Sequence, residues 1–132
     1  MLTIPWATST TIPEGSTLRQ VSRLELTRVR DVPGFLVAAL RLRRVVMEAP
    51  GAVGVSLRAE PSRRTFWTLS EWQDQDALDA FTRSDYHRGV MVRYRGRMAG
   101  SHFHTWTDGG TATTRPEWDD AIRRYDASTI QP

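Results

Sequence analysis

The chain has 132 residues, no cysteine and no lysine, and 18 arginines against 15 acidic residues, for a formal net charge of +3. That length suits one domain with a real core, while disulfides, thiolate catalysis, cysteine-ligated metals and lysine Schiff-base chemistry are excluded by composition. No apolar run approaches the roughly 20 residues of a membrane helix, and no basic stretch leads into a long apolar one as in a signal peptide, so a reducing cytoplasm is the expected location.

Residues 1–16, rich in Thr, Ser and Pro, read as an extended arm that Ile4 and Trp6 anchor to its own chain or lay over a neighbouring subunit. A first strand is expected near Leu18–Arg30. Pro33 suits the first turn of a helix, where its missing N–H costs nothing. That helix runs to about Glu48, with Phe35, Ala39, Leu42 and Val46 on one stripe, and Pro50-Gly51 ends it. Ala52–Ala59 is a second strand.

The segment Phe66-Trp67-Thr68-Leu69-Ser70-Glu71-Trp72 is a third strand. Alternation puts Phe66, Thr68, Ser70 and Trp72 on one side and Trp67, Leu69 and Glu71 on the other. Asp74 caps the next helix, which buries Ala77, Leu78 and Phe81. Ser84-Asp85 is a second cap or kink, after which Val90, Met91 and Tyr94 resume helical spacing. Gly100–Thr107 is a fourth strand with His102, His104 and Trp106 on one face. Asp108-Gly109-Gly110 ends it, and Pro116–Asp126 is a last helix within a C-terminal segment, residues 111–132.

The order β-α-β-β-α-β is the split βαβ arrangement of a ferredoxin-like α+β domain. One face of its sheet packs on the helices. The other carries large apolar residues and would be exposed, which marks an interface; a homodimer through sheet faces is expected.

The pattern W-T-x-S-x-W-x-D-x-x-A-L-x-x-F followed by S-x-x-H-R, from Trp67 to Arg88, resembles antibiotic-biosynthesis-monooxygenase-type proteins, above all their spheroidene-monooxygenase-like branch. Asp31-Val32-Pro33-Gly34-Phe35-Leu36 and Ala49-Pro50-Gly51 resemble the start and end of that branch's first helix. The resemblance covers roughly Leu18 to Trp106. It implies a ferredoxin-like protomer pairing into a dimeric α+β barrel, and a chemistry ranging across oxygenases, haem proteins, cyclases and isomerases. Haem-degrading relatives carry a haem-ligating histidine close to Met91 of this chain, and a tryptophan where Phe81 stands. The expected cofactor is therefore none, with haem as the alternative.

The candidate catalytic residues are His87, His102 and His104. Side chains at i and i+2 on a strand point the same way, so His102 and His104 can face one pocket or share one metal, with His87, Asp85 or Glu71 as a third ligand. They can equally be half-buried histidines at a sheet edge. His87 is an acid–base candidate or a helix-capping residue. Trp67, Trp72, Phe81 and Met91 suit a pocket for a flat aromatic or polyene molecule, although aromatics are also ordinary core. Arg64 is placed to hold an enolate or phenolate, or is simply solvated.

Residues 1–64 hold ten arginines against five acids, too mild an excess for nucleic acid, and no basic run is interleaved with aromatics as single-strand binders require. Gly-x-Gly-x-x-Gly, P-loop, Gly-x-Ser-x-Gly and His-Glu-x-x-His motifs are missing. The resemblance then implies cofactor-independent monooxygenation of an aromatic, polyketide-like or polyene small molecule in secondary metabolism. Its alternatives are a cofactor-free cyclase or isomerase, or a non-catalytic ligand-binding dimer.

Overall fold

A computed structural model describes residues 1–109 and 115–130. The end of the expected Asp108-Gly109-Gly110 stop and parts of the expected C-terminal segment, residues 111–114 and 131–132, lie outside the described residues. In chain order the elements are β1 (Leu2–Thr8), β2 (Thr17–Leu26), α1 (Val32–Glu48), β3 (Ala52–Glu60), β4 (Thr65–Trp72), α2 (Gln75–Thr82), α3 (Asp85–Tyr94), β5 (Met98–Asp108) and α4 (Trp118–Ile130). The strands form one antiparallel sheet in the order β1-β3-β4-β2-β5. The ferredoxin-like α+β expectation holds, with an additional edge strand and an additional helix.

Local chemistry sets the helix boundaries. Pro33 lies in the first turn of α1, and Gly51, at φ +82°, makes the turn into β3. The Asp74 carboxylate accepts from the Ala77 amide at 2.9 Å, and the Ser84 hydroxyl accepts from the His87 amide at 3.4 Å. These caps satisfy amides that would otherwise have no partner and break the helical stretch after β4 into α2 and α3. The Tyr86 hydroxyl donates to the Ala38 carbonyl at 2.9 Å and pins α3 to α1.

Alternation along the strands produces two dissimilar faces. On the first, Val55, Leu57, Ala59, Phe66 and Trp72 meet Phe35, Ala38 and Val46 of α1 and Leu78 and Phe81 of α2. On the second, Val21, Trp67 and Leu69 meet Ala121 and Tyr125 of α4. The second face is therefore not open: α4 lies across it, and Val21, Leu69 and Ala121 are inaccessible to solvent. Tyr125 meets Trp67 edge-on at 5.2 Å, while the guanidinium groups of Arg58 and Arg124 stack on Trp118 and Trp106 at 4.9 and 5.0 Å.

Much of the expected arm is a strand of its own sheet. Leu2–Thr8 pairs with β3, and Trp6 packs on the second face of its own chain, where a Cβ added at Gly54 would overlap the indole. The ladder shifts register between Ile4 and Ala7. There the Ile4 carbonyl accepts from Ser56 Oγ at 2.7 Å, and Ser56 Oγ in turn accepts from Trp118 Nε1 at 2.9 Å. One serine thus joins β1, β3 and α4. Farther along, Glu14 and Gln73 exchange two hydrogen bonds of 2.8 and 2.9 Å, so the arm is tied to its own domain.

The Gly54–Trp6 contact is directly testable. Gly54→Ala should destabilise the fold by about 1–3 kcal/mol, the usual cost of overpacking. In a Trp6→Ala background the same substitution should cost close to nothing, which denaturant unfolding of the four-member cycle would show.

Candidate functional site

Between the first sheet face and α1, α2 and α3 lies a cavity of about 500 Å3. Its helical walls are apolar, built from residues such as Phe35, Leu42, Val46, Leu78, Phe81 and Val90. Its floor is not. Gln20, Ser22, Thr68, Ser70 and Thr105 line it, and strand register gathers them into one patch: Ser22 lies opposite Thr68, and Gln20 lies between Ser70 and Thr105. The Ser22 and Thr68 hydroxyls hydrogen-bond to each other, and Ser70 Oγ accepts from Trp72 Nε1 at 2.9 Å, which fixes the indole. A polar patch inside an apolar chamber carries a desolvation cost unless water or a ligand completes its hydrogen bonds.

His87 enters the same cavity from the first turn of α3. Its ring meets Phe81 edge-on at 5.3 Å, and Phe81 meets Trp72 at 5.1 Å, so three rings form a continuous lining. Nδ1 of His87 is buried and has no hydrogen-bond partner among the described residues. Burial disfavours the imidazolium and lowers the pKa below the ordinary 6.5; a hydrogen bond to the Thr82 backbone acts more weakly in the opposite direction. At neutral pH the imidazole is an uncharged base facing a chamber of ligand size.

The structure brings His87, Trp72, Phe81, Met91, Trp67 and His102 of the expected site to the border of one cavity and leaves His104 and Arg64 outside it. His104 pairs with Val21 in the ladder and stacks on Trp106 at 6.0 Å with 17° between the planes; this is the α4 face. His102, two residues earlier, leaves β5 on that same side and is exposed. Trp67 likewise sends its indole toward Tyr125, although both Trp67 and His102 border the cavity. Arg64 stands at the far end of β4 in a left-handed conformation (φ 54°), with Nε donating to the Leu26 carbonyl at 3.1 Å, and does not line the chamber.

As to a metal, Glu71 is engaged by Arg19 at 3.0 Å and Thr17 at 2.8 Å, and His87 is on the opposite face from His102 and His104. No cluster of three or more His, Cys, Asp or Glu able to hold a metal occurs among the described residues. The polar floor was absent from the expected site, although its signal was in the strand pattern: Thr68 and Ser70 interrupt an otherwise aromatic face between Phe66 and Trp72.

A model of the antibiotic biosynthesis monooxygenase family matches residues 22–93. No curated protein matches the chain. Among solved structures, a conserved protein from Methanosarcina mazei Go1 is 17% identical, with a TM-score of 0.60 over 68% of this chain and 90% of its own. SnoaB, a cofactor-independent oxygenase from Streptomyces nogalater, is 18% identical, with a TM-score of 0.57 over 76% and 98%. A candidate monooxygenase from Fusobacterium nucleatum is 10% identical, with a TM-score of 0.65 over 84% of this chain and 54% of its own, so this chain spans about half its length. At such identities the likeness is one of fold.

The imidazole of His87 should titrate with a midpoint below 6.5 when followed by NMR. Because folding lowers this pKa, its contribution to stability is complete above pH 6.5 and is lost as the pH falls through the lowered value. Binding of an aromatic probe in the cavity should survive His102→Ala and His104→Ala but change in His87→Ala, measured by fluorescence titration.

Proposed function

The chain belongs to the antibiotic biosynthesis monooxygenase family, and from that premise we propose that it is a cofactor-independent monooxygenase acting on an oxygen-bearing aromatic small molecule. The observation that carries the proposal is His87, with a buried and unpartnered Nδ1, lining a chamber with aromatic walls and a hydroxylated floor. A neutral imidazole in a desolvated site is suited to take a proton from a phenol. The resulting anion is electron-rich enough to pass one electron to O2. Substrate radical and superoxide then combine into a peroxide, which loses water and leaves a new carbonyl. The substrate supplies all four electrons and the carbon bearing the peroxide gives up its hydrogen; one oxygen atom enters the product and the other leaves as water. Floor hydroxyls and the Gln20 amide hydrogen-bond the anion as charge shifts.

The floor also bears on the narrower resemblance to the spheroidene-monooxygenase-like branch. A polyene has no groups to satisfy five polar side chains, whereas a phenolic or quinonoid ring system does, so the polar floor favours the aromatic reading. As to assembly, the proposed homodimer would include α4 in its contact surface, since α4 lies over the second sheet face.

His87→Ala should lower turnover by roughly 10²–10⁴-fold with a smaller effect on binding. In the unsubstituted protein, kcat/KM for a hydroxylated polycyclic substrate should be level above pH 6.5 and fall on the acid side as His87 protonates. Turnover under argon equal to that under air would remove the oxygenase and point to a cyclase or isomerase in the same chamber.

A further inference from the structure

The cavity opens along β5. Ser101, Phe103 and Met91 line it and are exposed, Phe103 to 69%, so the opening is a slot between α3 and the edge strand. Its two ends differ in charge. At the α2 end Asp79 lines the cavity itself, Asp74 caps that helix and Asp76 stands in its first turn. At the other end Met98 lines it, directly after the Arg95-Gly96-Arg97 turn that joins α3 to β5.

Two backbone hydrogen bonds concentrate further charge at this second end. The Thr27 amide donates to the Arg97 carbonyl at 2.9 Å, and the Leu26 amide to the Arg64 carbonyl at 2.8 Å. They draw Arg28, Arg30, Arg63, Arg64, Arg95 and Arg97 into one corner, where Glu25, Asp31 and Glu60 are the acidic residues. The excess of three positive charges equals the net charge of the entire chain, so the remainder of the molecule is neutral on balance. Arg97 engages Asp31 at 3.3 Å; Arg28, Arg30, Arg63 and Arg95 make no ion pair among the described residues. Like charges in excess of their counter-charges repel one another and focus a positive potential on the adjoining cleft.

We propose that the molecule bound in this cavity carries an anionic group, such as a carboxylate, sulfonate or phosphate, and that this group sits at the Arg95–Arg97 end of the slot. The inference rests on reading the cavity as an aromatic binding site, and adds that the ligand is amphipathic and enters in one direction. Carboxylates at the α2 end repel the same group, so the reversed orientation is disfavoured at both ends.

Anilinonaphthalene sulfonate and N-phenylnaphthylamine share a ring system and differ by one sulfonate, which makes them suitable probes. Both should bind by fluorescence titration at low ionic strength, the sulfonate roughly three- to tenfold more tightly. That preference should shrink with added salt and disappear in Arg28→Gln/Arg95→Gln, with the neutral probe unaffected. Arg44→Gln, on the exposed side of α1, should keep it. Equal affinity for the two probes, or a preference that survives the double substitution or is lost equally in Arg44→Gln, would overturn the anionic end alone. Failure of both probes to bind would remove the aromatic site as well.

Discussion

Trp67 and Trp72 lie an odd number of residues apart on β4, so their indoles leave the sheet on opposite sides, and both are buried, at 8% and 1% exposure. Burying an indole on each side of one strand requires a cover on each side, and the rest of the structure follows from that requirement. The helices after β2 and β4 supply one cover. The chain continues past β5 to supply the other, and Tyr125, Ala121 and Trp118 of α4 close over Trp67, Leu69 and Val21. β1 completes this second layer by bringing Trp6 to its edge.

The two covers differ in tightness, and the difference creates the site. On the α4 face the packed groups are aromatic rings, stacked guanidinium groups and the buried Arg19–Glu71 pair. On the helical face, small side chains at Ser22, Thr68 and Ser70 stand where large apolar ones would fill the space below α1. Replacing that volume with hydroxyls leaves a chamber and also leaves hydrogen-bonding capacity inside it. A core optimised for stability would not leave His87 Nδ1 or this patch in an apolar chamber. Such departures from good packing are expected where a protein keeps room for a ligand.

Element identities were legible because each carries a local signature: Pro33 and Asp74 at helix starts, Gly51 at a turn, and strict alternation from Phe66 to Trp72. The same alternation put His102, His104 and Trp106 on one side of β5, as found. Which side could not be read, because it depends on the register of β5 against β2, and a one-residue slip exchanges every side chain between the faces. Trp67 and Trp72 both border the cavity, as expected, but alternation along β4 sends the Trp67 indole to the α4 face, where it meets Tyr125. Arg64 was misplaced because a position next to the tryptophan strand does not say where the side chain turns, and here its Nε turns back to the Leu26 carbonyl. β1 escaped notice because Pro5 and the surrounding threonines resemble a linker, yet proline is tolerated at a sheet edge, where the ladder is bulged.

The edges of the sheet explain why the cavity opens where it does. An exposed edge strand is a hazard that bulges, prolines and charges reduce. β1 has a proline, a bulge and the Ser56–Trp118 tie. β5 has a bulge near its start, between Met98 and Gly100, but no proline, and it presents Phe103 to solvent beside α3. An aromatic side chain left exposed at the rim of an apolar cavity is a surface that a greasy ligand covers on entry, so the exposed edge and the opening are one feature. Extending a helix over β5 would protect the edge but close the chamber, and the fold instead places its additional helix on the opposite face.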